Sequence, residues 1–276
     1  MKTYFLTTFF ILTSLTFIAC NSNKESDSSD SNTIIKKLKD YLKEEEAILQ
    51  KHADQNWIEP ENQYGLSDHI DKNKLFDVIQ YAADNQTSIA YSTHDAMSLN
   101  ARREIYLAFE YDSHNIKSVF KQFANKIARH IKQIEISTTS NDIEKLNTRI
   151  IKSQLSLLLE YIRKYAKNYY IEIFGTLNDK KDKLNQLNLN DLRELEAKFV
   201  TVRSAKAKIK QEAEVIKNEF DNNIEINSTS KHRLRSNANA NEIASYLQNK
   251  QSKFENNAQK IEDTVADIKK ILNRIK

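Results

Sequence analysis

One cysteine, six histidines and a short run of cations are the residues of this chain whose types and spacing could do chemistry. The cysteine, Cys20, closes the segment Leu15-Thr16-Phe17-Ile18-Ala19-Cys20. This has the form of a bacterial lipobox, in which a small residue stands just before the cut and the cysteine is acylated and becomes the mature N-terminus. Ahead of it, Lys2 supplies a positive n-region and Phe5 to Ile18 an apolar run broken only by Thr and Ser, so residues 1–19 read as a signal peptide. The run is shorter than the roughly 20 residues a membrane-crossing helix needs, and polar residues follow at once. Several acyl chains, palmitate among them, on Cys20 would hold the protein at a membrane, since each buried methylene contributes about 0.8 kcal/mol and one chain alone is marginal.

The histidines, His52, His69, His94, His114, His130 and His232, are scattered. No two stand at i, i+4 or beside a carboxylate at a metal-ligating spacing, so no metal site is expected. Carboxylate groups such as Glu44-Glu45-Glu46, or Asp263 with Asp267, read as solvated helix faces. With two Gly in 276 residues there is neither a glycine-rich phosphate loop nor a nucleophile elbow. No catalytic residue, cofactor or small-molecule substrate is expected, and the protein reads as a non-enzyme. Lys231, His232, Arg233 and Arg235 form a dense basic cluster. It is either a solvated loop or a contact for a sulfated glycan or an acidic protein patch.

These residues must be held by helices. Two Gly and one Pro in the whole chain leave too few turn residues to join strands tightly, so an all-α fold is expected. Asn21 to Asn32 has no apolar residue and reads as a flexible tether, so that residues 20–33 comprise the acylated cysteine and its leash and residues 34–276 one helical domain. A first helix over about Thr33 to His52 carries Ile35, Leu38, Leu42 and Leu49, capped by Asn32 or Thr33. A loop at Trp57 to Ser67 holds Pro60 and Gly65. A short helix is predicted over Asp71 to Asn85 and irregular chain over Gln86 to Ser98.

Leu99 to Phe109 and Ile116 to Ile134 mark the next two helices, with Asp112 or Ser113 between them as a cap. A long helix starts at Asp142, and its second half is apolar nearly all round, which makes it the expected core element. Tyr161, Tyr165, Tyr169 and Tyr170 on it read as core, and Gly175 as its left-handed C-cap. The stretch Asn178 to Leu189 reads as a short helical turn or a loop. Asn190 is expected to cap a helix reaching Asp221, with Lys206 interrupting the apolar stripe, and Asn222 to Asn239 to be an exposed loop. The last helix, from about Asn241 to Ile275, has apolar residues in heptad register. Its seam, Ile261, Val265, Ile268 and Leu272, either docks into the protein's own bundle or pairs with a second copy in a homodimer. The whole is a single-domain bundle of about six to seven helices with a long C-terminal helix.

The formal charge of +4, with 42 Lys and Arg against 38 Asp and Glu, is too balanced for a nucleic-acid binder. The only cysteine lies in the leader junction, so no disulfide is available and stability rests on packing.

The lipobox, the Ser-Asn-Asp segment behind it, the Lys-Asn-Ile-rich body and above all ARREIYLAFEYDSHNIKSVFKQFANKIA at Ala101 to Ala128 resemble the paralogous family 54 outer-surface lipoproteins of Lyme-disease spirochaetes, the complement regulator-acquiring surface protein 1-like group. The distinctive part is Arg102-Arg103-Glu104-Ile105-Tyr106 through Tyr111-Asp112. The resemblance implies a single α-helical domain with an extended C-terminal helix, displayed on the outer membrane at the cell surface. It also implies a host-protein partner, with a complement component or regulator as the leading candidate and immune evasion as the role. Other members bind plasminogen or tissue, or have no established ligand. An adhesin for glycosaminoglycan, plasminogen or matrix protein, and a structural lipoprotein without a host ligand, are therefore the alternatives.

Overall fold

The structure, a computed structural model, describes residues 23–66, 75–82, 88–116, 127, 131–132, 134–137, 139 and 142–276. The signal peptide and Cys20 lie outside them, as does most of the helix expected at Ile116 to Ile134.

Helix α1 (Asn23–Ala53) buries Ile34, Leu38 and Leu42, a stripe at four-residue spacing. It begins inside the segment expected to be coil, so residues 23–32 are helical and Asn32 and Thr33 are interior positions rather than caps. Once the amphipathic part is helical, adding turns toward the N-terminus needs no new nucleus. The added turns also find partners: the Thr33 hydroxyl donates to Ser29 O at 2.9 Å, and Asp30 meets Arg193 at 2.9 Å.

Residues 54–66 form a strap containing a 3-10 turn at Gln63–Gly65, where Gln63 and Tyr64 take positive φ. The helix expected over Asp71 to Asn85 is, among the described residues, one turn, α2 (Leu75–Val78), followed by strand β1 (Gln80–Ala82). β1 pairs antiparallel with β2 (Ser88–Ala90), inside the stretch expected to be irregular. Aromatic packing overrides helical spacing here, since Tyr81 in the ribbon stacks at 4.9 Å on buried Tyr91. Asp95 caps α3 (Ala96–Ala108), its carboxylate accepting from Ser98 N, and a sharp corner leads to α4 (Ser113–Ile116). In that corner Glu110 and Tyr111 both take positive φ.

The long helix α5 (Asp142–Ala166) starts where expected. It does not end at a left-handed Gly175. The chain widens into a π-helical segment, Lys167–Gly175, and runs on as α6 (Thr176–Lys180) and a 3-10 turn at Lys181–Gln186. Gly175 sits at φ −58°, ψ −50°, a right-handed helical position. The wide turn is explained by what it buries: neighbours Tyr169 and Tyr170, and again Ile173 and Phe174, are all fully buried, so two adjacent side chains face the core twice in succession.

Helix α7 (Leu189–Asp221) is capped by Asn188 rather than Asn190, and α8 (Ala240–Leu272) by Asn239 in a reciprocal capping box with Glu242. The expected loop between them is a small hairpin, β3 (Glu225–Asn227) with β4 (His232–Arg233). The described strands form two two-stranded ribbons, and the fold is otherwise all-α. Among the described residues no helix is long and apolar enough to cross a membrane.

Cross-helix contacts fix the directions of the bundle. Asp30–Arg193, Lys37–Glu196, Glu44–Arg203 and Glu45–Lys206 run α1 parallel to α7. Lys198–Asp267, Glu212–Lys253 and Glu219–Lys250 run α7 antiparallel to α8. Tyr161–Glu255 and Lys164–Glu262, continued by Glu172–Lys269 from the π-helical segment, run α5 parallel to α8. The start of α1 and the end of α8 therefore lie at one end of the bundle. The hairpin lies at the other, about 50 Å away along a 33-residue helix.

Candidate functional site

The residues singled out by sequence fall at different places in this frame. At the hairpin end, Lys231, Arg233 and Arg235 are exposed. Lys231 reaches Glu225 only at 3.4 Å, and the Arg233 guanidinium donates to Asn223 O at 3.3 Å. His232 differs from its neighbours: its Nδ1 lies 2.9 Å from Glu242 of the capping box. Glu242 also accepts from Asn227 Nδ2, Ser230 Oγ and Asn239 N, so one carboxylate ties hairpin and helix start together. Burial alone would raise the Glu242 carboxyl, but these hydrogen bonds, that of Asn239 N foremost, hold it below the usual range.

Beside the hairpin an open cleft of about 520 Å³ lies between β3 and the first turns of α8. Lys250 is buried in its wall and meets Glu219 at 2.6 Å, while the Tyr246 hydroxyl donates to the same carboxylate oxygen at 2.6 Å. Burial, reinforced by Glu219, pushes the Tyr246 phenol up.

The C-terminal seam is occupied within the single chain. Ile261, Ile268 and Leu272 are fully buried against the chain's own helices, and Val265 is half-buried against the same core. Of the tyrosines, Tyr165, Tyr169 and Tyr170 are fully buried, whereas Tyr161 is half-buried and donates to Glu255 at 2.8 Å.

Sequence reading missed a buried ionic node in the middle of the bundle. Lys206, the residue that interrupts the α7 stripe, places its ammonium 2.6 and 2.7 Å from the two oxygens of Glu45 and 3.0 Å from Glu110. Glu45 is 5 % exposed and also accepts from the Tyr169 hydroxyl at 2.9 Å; Tyr170 donates to Glu110 at 2.9 Å. Desolvation raises the Glu110 carboxyl, but Lys206 and Lys210 outweigh it and bring it down to about 2. The node joins α1, the α3–α4 corner, the π segment and α7. Its signal in the sequence was the lysine out of place; Glu45 was hidden in the run Glu44-Glu45-Glu46.

The strap over α3 is a second missed arrangement. Arg102 holds Glu59 through two hydrogen bonds of 2.7 and 2.8 Å, Tyr106 donates to the same carboxylate at 2.5 Å, and Arg103 lies 4.7 Å over the Trp57 ring. Ile58, between these anchors, is 85 % exposed. His52 accepts or donates to Tyr111 OH at 2.7 Å, and burial with Arg103 nearby lowers it to about 4. His94 and His114 are exposed, and His69 and His130 lie outside the described residues. Among the described residues no group of three or more His, Cys, Asp or Glu is placed to hold a metal ion.

Comparison with known proteins then places the chain. A family profile described as Borrelia Bbcrasp-1 domain containing protein matches residues 53–273. No curated protein matches. Among solved structures, the outer surface lipoprotein BBA64 of Borrelia burgdorferi is similar at 20% identity and TM-score 0.60, over 89% of this chain and 98% of that one. BBA66, an outer surface protein of the same organism, is similar at 14% identity and TM-score 0.58, over 86% and 99%. BSA64 of Borrelia spielmanii gives 17% identity and TM-score 0.54, over 90% and 99%. At these identities the structures speak for a shared fold. The Arg102 to Tyr111 segment that carried the resemblance in the sequence is the one that anchors the strap.

Proposed function

Because the chain belongs to the Borrelia Bbcrasp-1 domain family, we propose that it is an outer-membrane lipoprotein, acylated at Cys20 and displayed at the cell surface, that binds a host protein and so aids immune evasion. The leading partner is a complement component or regulator. The observation that carries this reading is the family match over residues 53–273 in a chain whose first twenty residues end in a lipobox. Relatives of the same fold bear the words outer surface protein or lipoprotein in their names, which supports the address and is silent on the partner. The protein does this as a binding surface rather than as an enzyme. Because surface substitutions usually change stability by less than about 0.5 kcal/mol, one bundle can present different ligand surfaces.

Protease treatment of intact cells tests the address: a surface protein is cleaved and a periplasmic one survives. Immobilised full-length protein offered serum at physiological salt tests the partner, with retention of a complement protein expected. If none is retained, the complement reading fails.

The exposed cations Lys231, Arg233 and Arg235 favour a second reading, an adhesin for sulfated glycosaminoglycan. Such binding would be electrostatic, so raising salt from about 0.05 to about 0.5 M should abolish it. Alanine at all three positions should do the same. Binding indifferent to both changes would mean that the hairpin cations are merely solvated.

A further inference from the structure

The cleft beside the hairpin bears on how a protein partner could be held. It is lined by four consecutive residues, Ile224 to Asn227, and across from them by Tyr246 and Lys250 of α8. Side chains of a strand alternate between its faces, so a cleft lying on a face would touch every second residue. Ile224 and all three residues of β3 touch this one, in a ladder whose register shifts between Glu225 and Asn227, so the cleft runs along the length of β3.

Hydrogen bonding identifies which groups the outer edge of β3 presents. Leu234 N donates to Ile224 O at 2.9 Å, and Glu225 stands opposite Arg233 in the ladder. In an antiparallel pair, successive residues turn their main-chain groups alternately toward and away from the partner strand. Ile224 faces β4, so Glu225 turns its N–H and C=O outward. Among the described residues β3 has β4 as its one partner strand.

Apart from Glu225, which meets Lys231 at 3.4 Å, the charges lining the cleft are held in close pairs or hydrogen bonds. Glu219 takes Lys250 and Tyr246, Glu242 takes four donors, and Lys253 lies 3.2 Å from Glu212. An ionic ligand would have to displace one of these pairs. A main-chain amide would not, because it meets an outward donor and acceptor one residue apart from two half-buried isoleucines, Ile224 and Ile226. The volume, about 520 Å³, lies within the range of about 300–1,000 Å³ typical of ligand sites.

We propose that an extended polypeptide segment of the partner adds to the outer edge of β3 as a third strand. It pairs its main chain with Glu225 and lays alternate side chains on Ile224, Ile226 and Tyr246. Main-chain pairing supplies affinity and the flanking side chains supply selectivity. This rests on the reading that the protein binds a protein partner, and it assigns that binding to the end of the bundle opposite the start of α1.

The test pans the full chain against a displayed library of random linear peptides. Enriched peptides, remade synthetically, should bind the protein and lose at least about tenfold in affinity to Glu225→Pro, while Glu225→Gln changes affinity less than about twofold. Proline is tolerated on an edge strand where the N–H points away from the ladder, so it removes the docking donor and leaves the hairpin. Should Glu225→Pro nevertheless unfold the hairpin, hydrogen exchange on the unmutated protein decides: the Glu225 amide should exchange freely alone and slow when peptide is added. Strand addition is overturned if no peptide is enriched, if enriched peptides ignore Glu225→Pro in a folded variant, or if they leave the Glu225 amide unprotected. Serum-protein retention without any edge-binding peptide refutes strand addition alone. Edge-binding peptides without any retained serum protein support strand addition and count against the host-protein reading.

Discussion

Replacing Lys206 by Met keeps the length and most of the volume of the side chain and removes one charge from the middle of the bundle. Three groups lose by it: both oxygens of Glu45, the nearer oxygen of Glu110, and the rings of Tyr169 and Tyr170, which the ammonium faces at 4.9 and 5.0 Å. Glu110 keeps Lys210 at 2.5 Å, but Glu45, 5 % exposed, is left among the described residues with the Tyr169 hydroxyl. Removing one partner of a buried ion pair costs about 3–5 kcal/mol, because the survivor stays desolvated and uncompensated. The remaining hydroxyl contributes about 1 kcal/mol, which puts Lys206→Met near the lower bound, about 3 kcal/mol. Adding Glu45→Gln removes the stranded charge, and the double variant should recover about 2 kcal/mol of that loss. For contrast, the half-exposed pair Asp30–Arg193 should be worth about 0–1 kcal/mol. Urea unfolding followed by far-UV circular dichroism at neutral pH measures all four corners of the cycle. If Lys206→Met lies within about 1 kcal/mol of the parent, or the double variant is no better than the single, the node does not bind α1 to the body as described.

Two titrations give separable pH windows. The Glu110 carboxyl lies at about 2 against an ordinary 4.5, so its stabilisation is complete above the ordinary value and is lost as pH falls toward 2; Glu110→Gln should flatten the unfolding free energy over that interval. The His52 imidazole lies at about 4 against 6.5, so its contribution is full above 6.5 and falls away between there and 4, and His52→Phe should remove that slope in the same urea series. Gly175→Ala should stabilise by about 0.5–1 kcal/mol, since the site is right-handed helical and the new methyl would meet Tyr170 O at an ordinary 3.6 Å; destabilisation would restore the left-handed cap. Ile268→Ala should cost about 2–5 kcal/mol in unfolding without altering the sedimentation of the folded protein; a negligible cost with a change in oligomeric state would make the seam an intermolecular one.

The long helices were legible because each carries a wide apolar stripe, as in the run Leu192 to Phe220, although only some of their starts, such as Asp142, were marked where expected. Legibility failed where tertiary contact overrides local pattern. The apolar residues from Leu75 to Ala82 fit a helix by spacing, yet Tyr81 serves the core better from a ribbon stacked on Tyr91. Gly175 matches a cap by type, and only the burial of consecutive pairs before it reveals that the helix widens and continues. Of the interaction surfaces, the hairpin cations could be found from composition, but not the tie of His232 to the capping carboxylate ten residues on. The node at Glu45 and Lys206 joins positions 161 residues apart, and no periodicity reports such a pair.

The π-helical segment has a consequence for how length differences among relatives should be aligned. A wide turn holds one residue more than the α-helical turn it replaces. A single-residue deletion anywhere in Lys167–Gly175 could be absorbed there by reverting to α-helical winding, at the cost of turning one member of the pair Tyr169 and Tyr170 out of the core. Everything after it, from α6 to the seam of α8, would keep its place. In a helix without such a slack turn, the same deletion would rotate all that follows by about 100°. A gap between relatives is thus best placed at this turn, where the chain carries a spare residue.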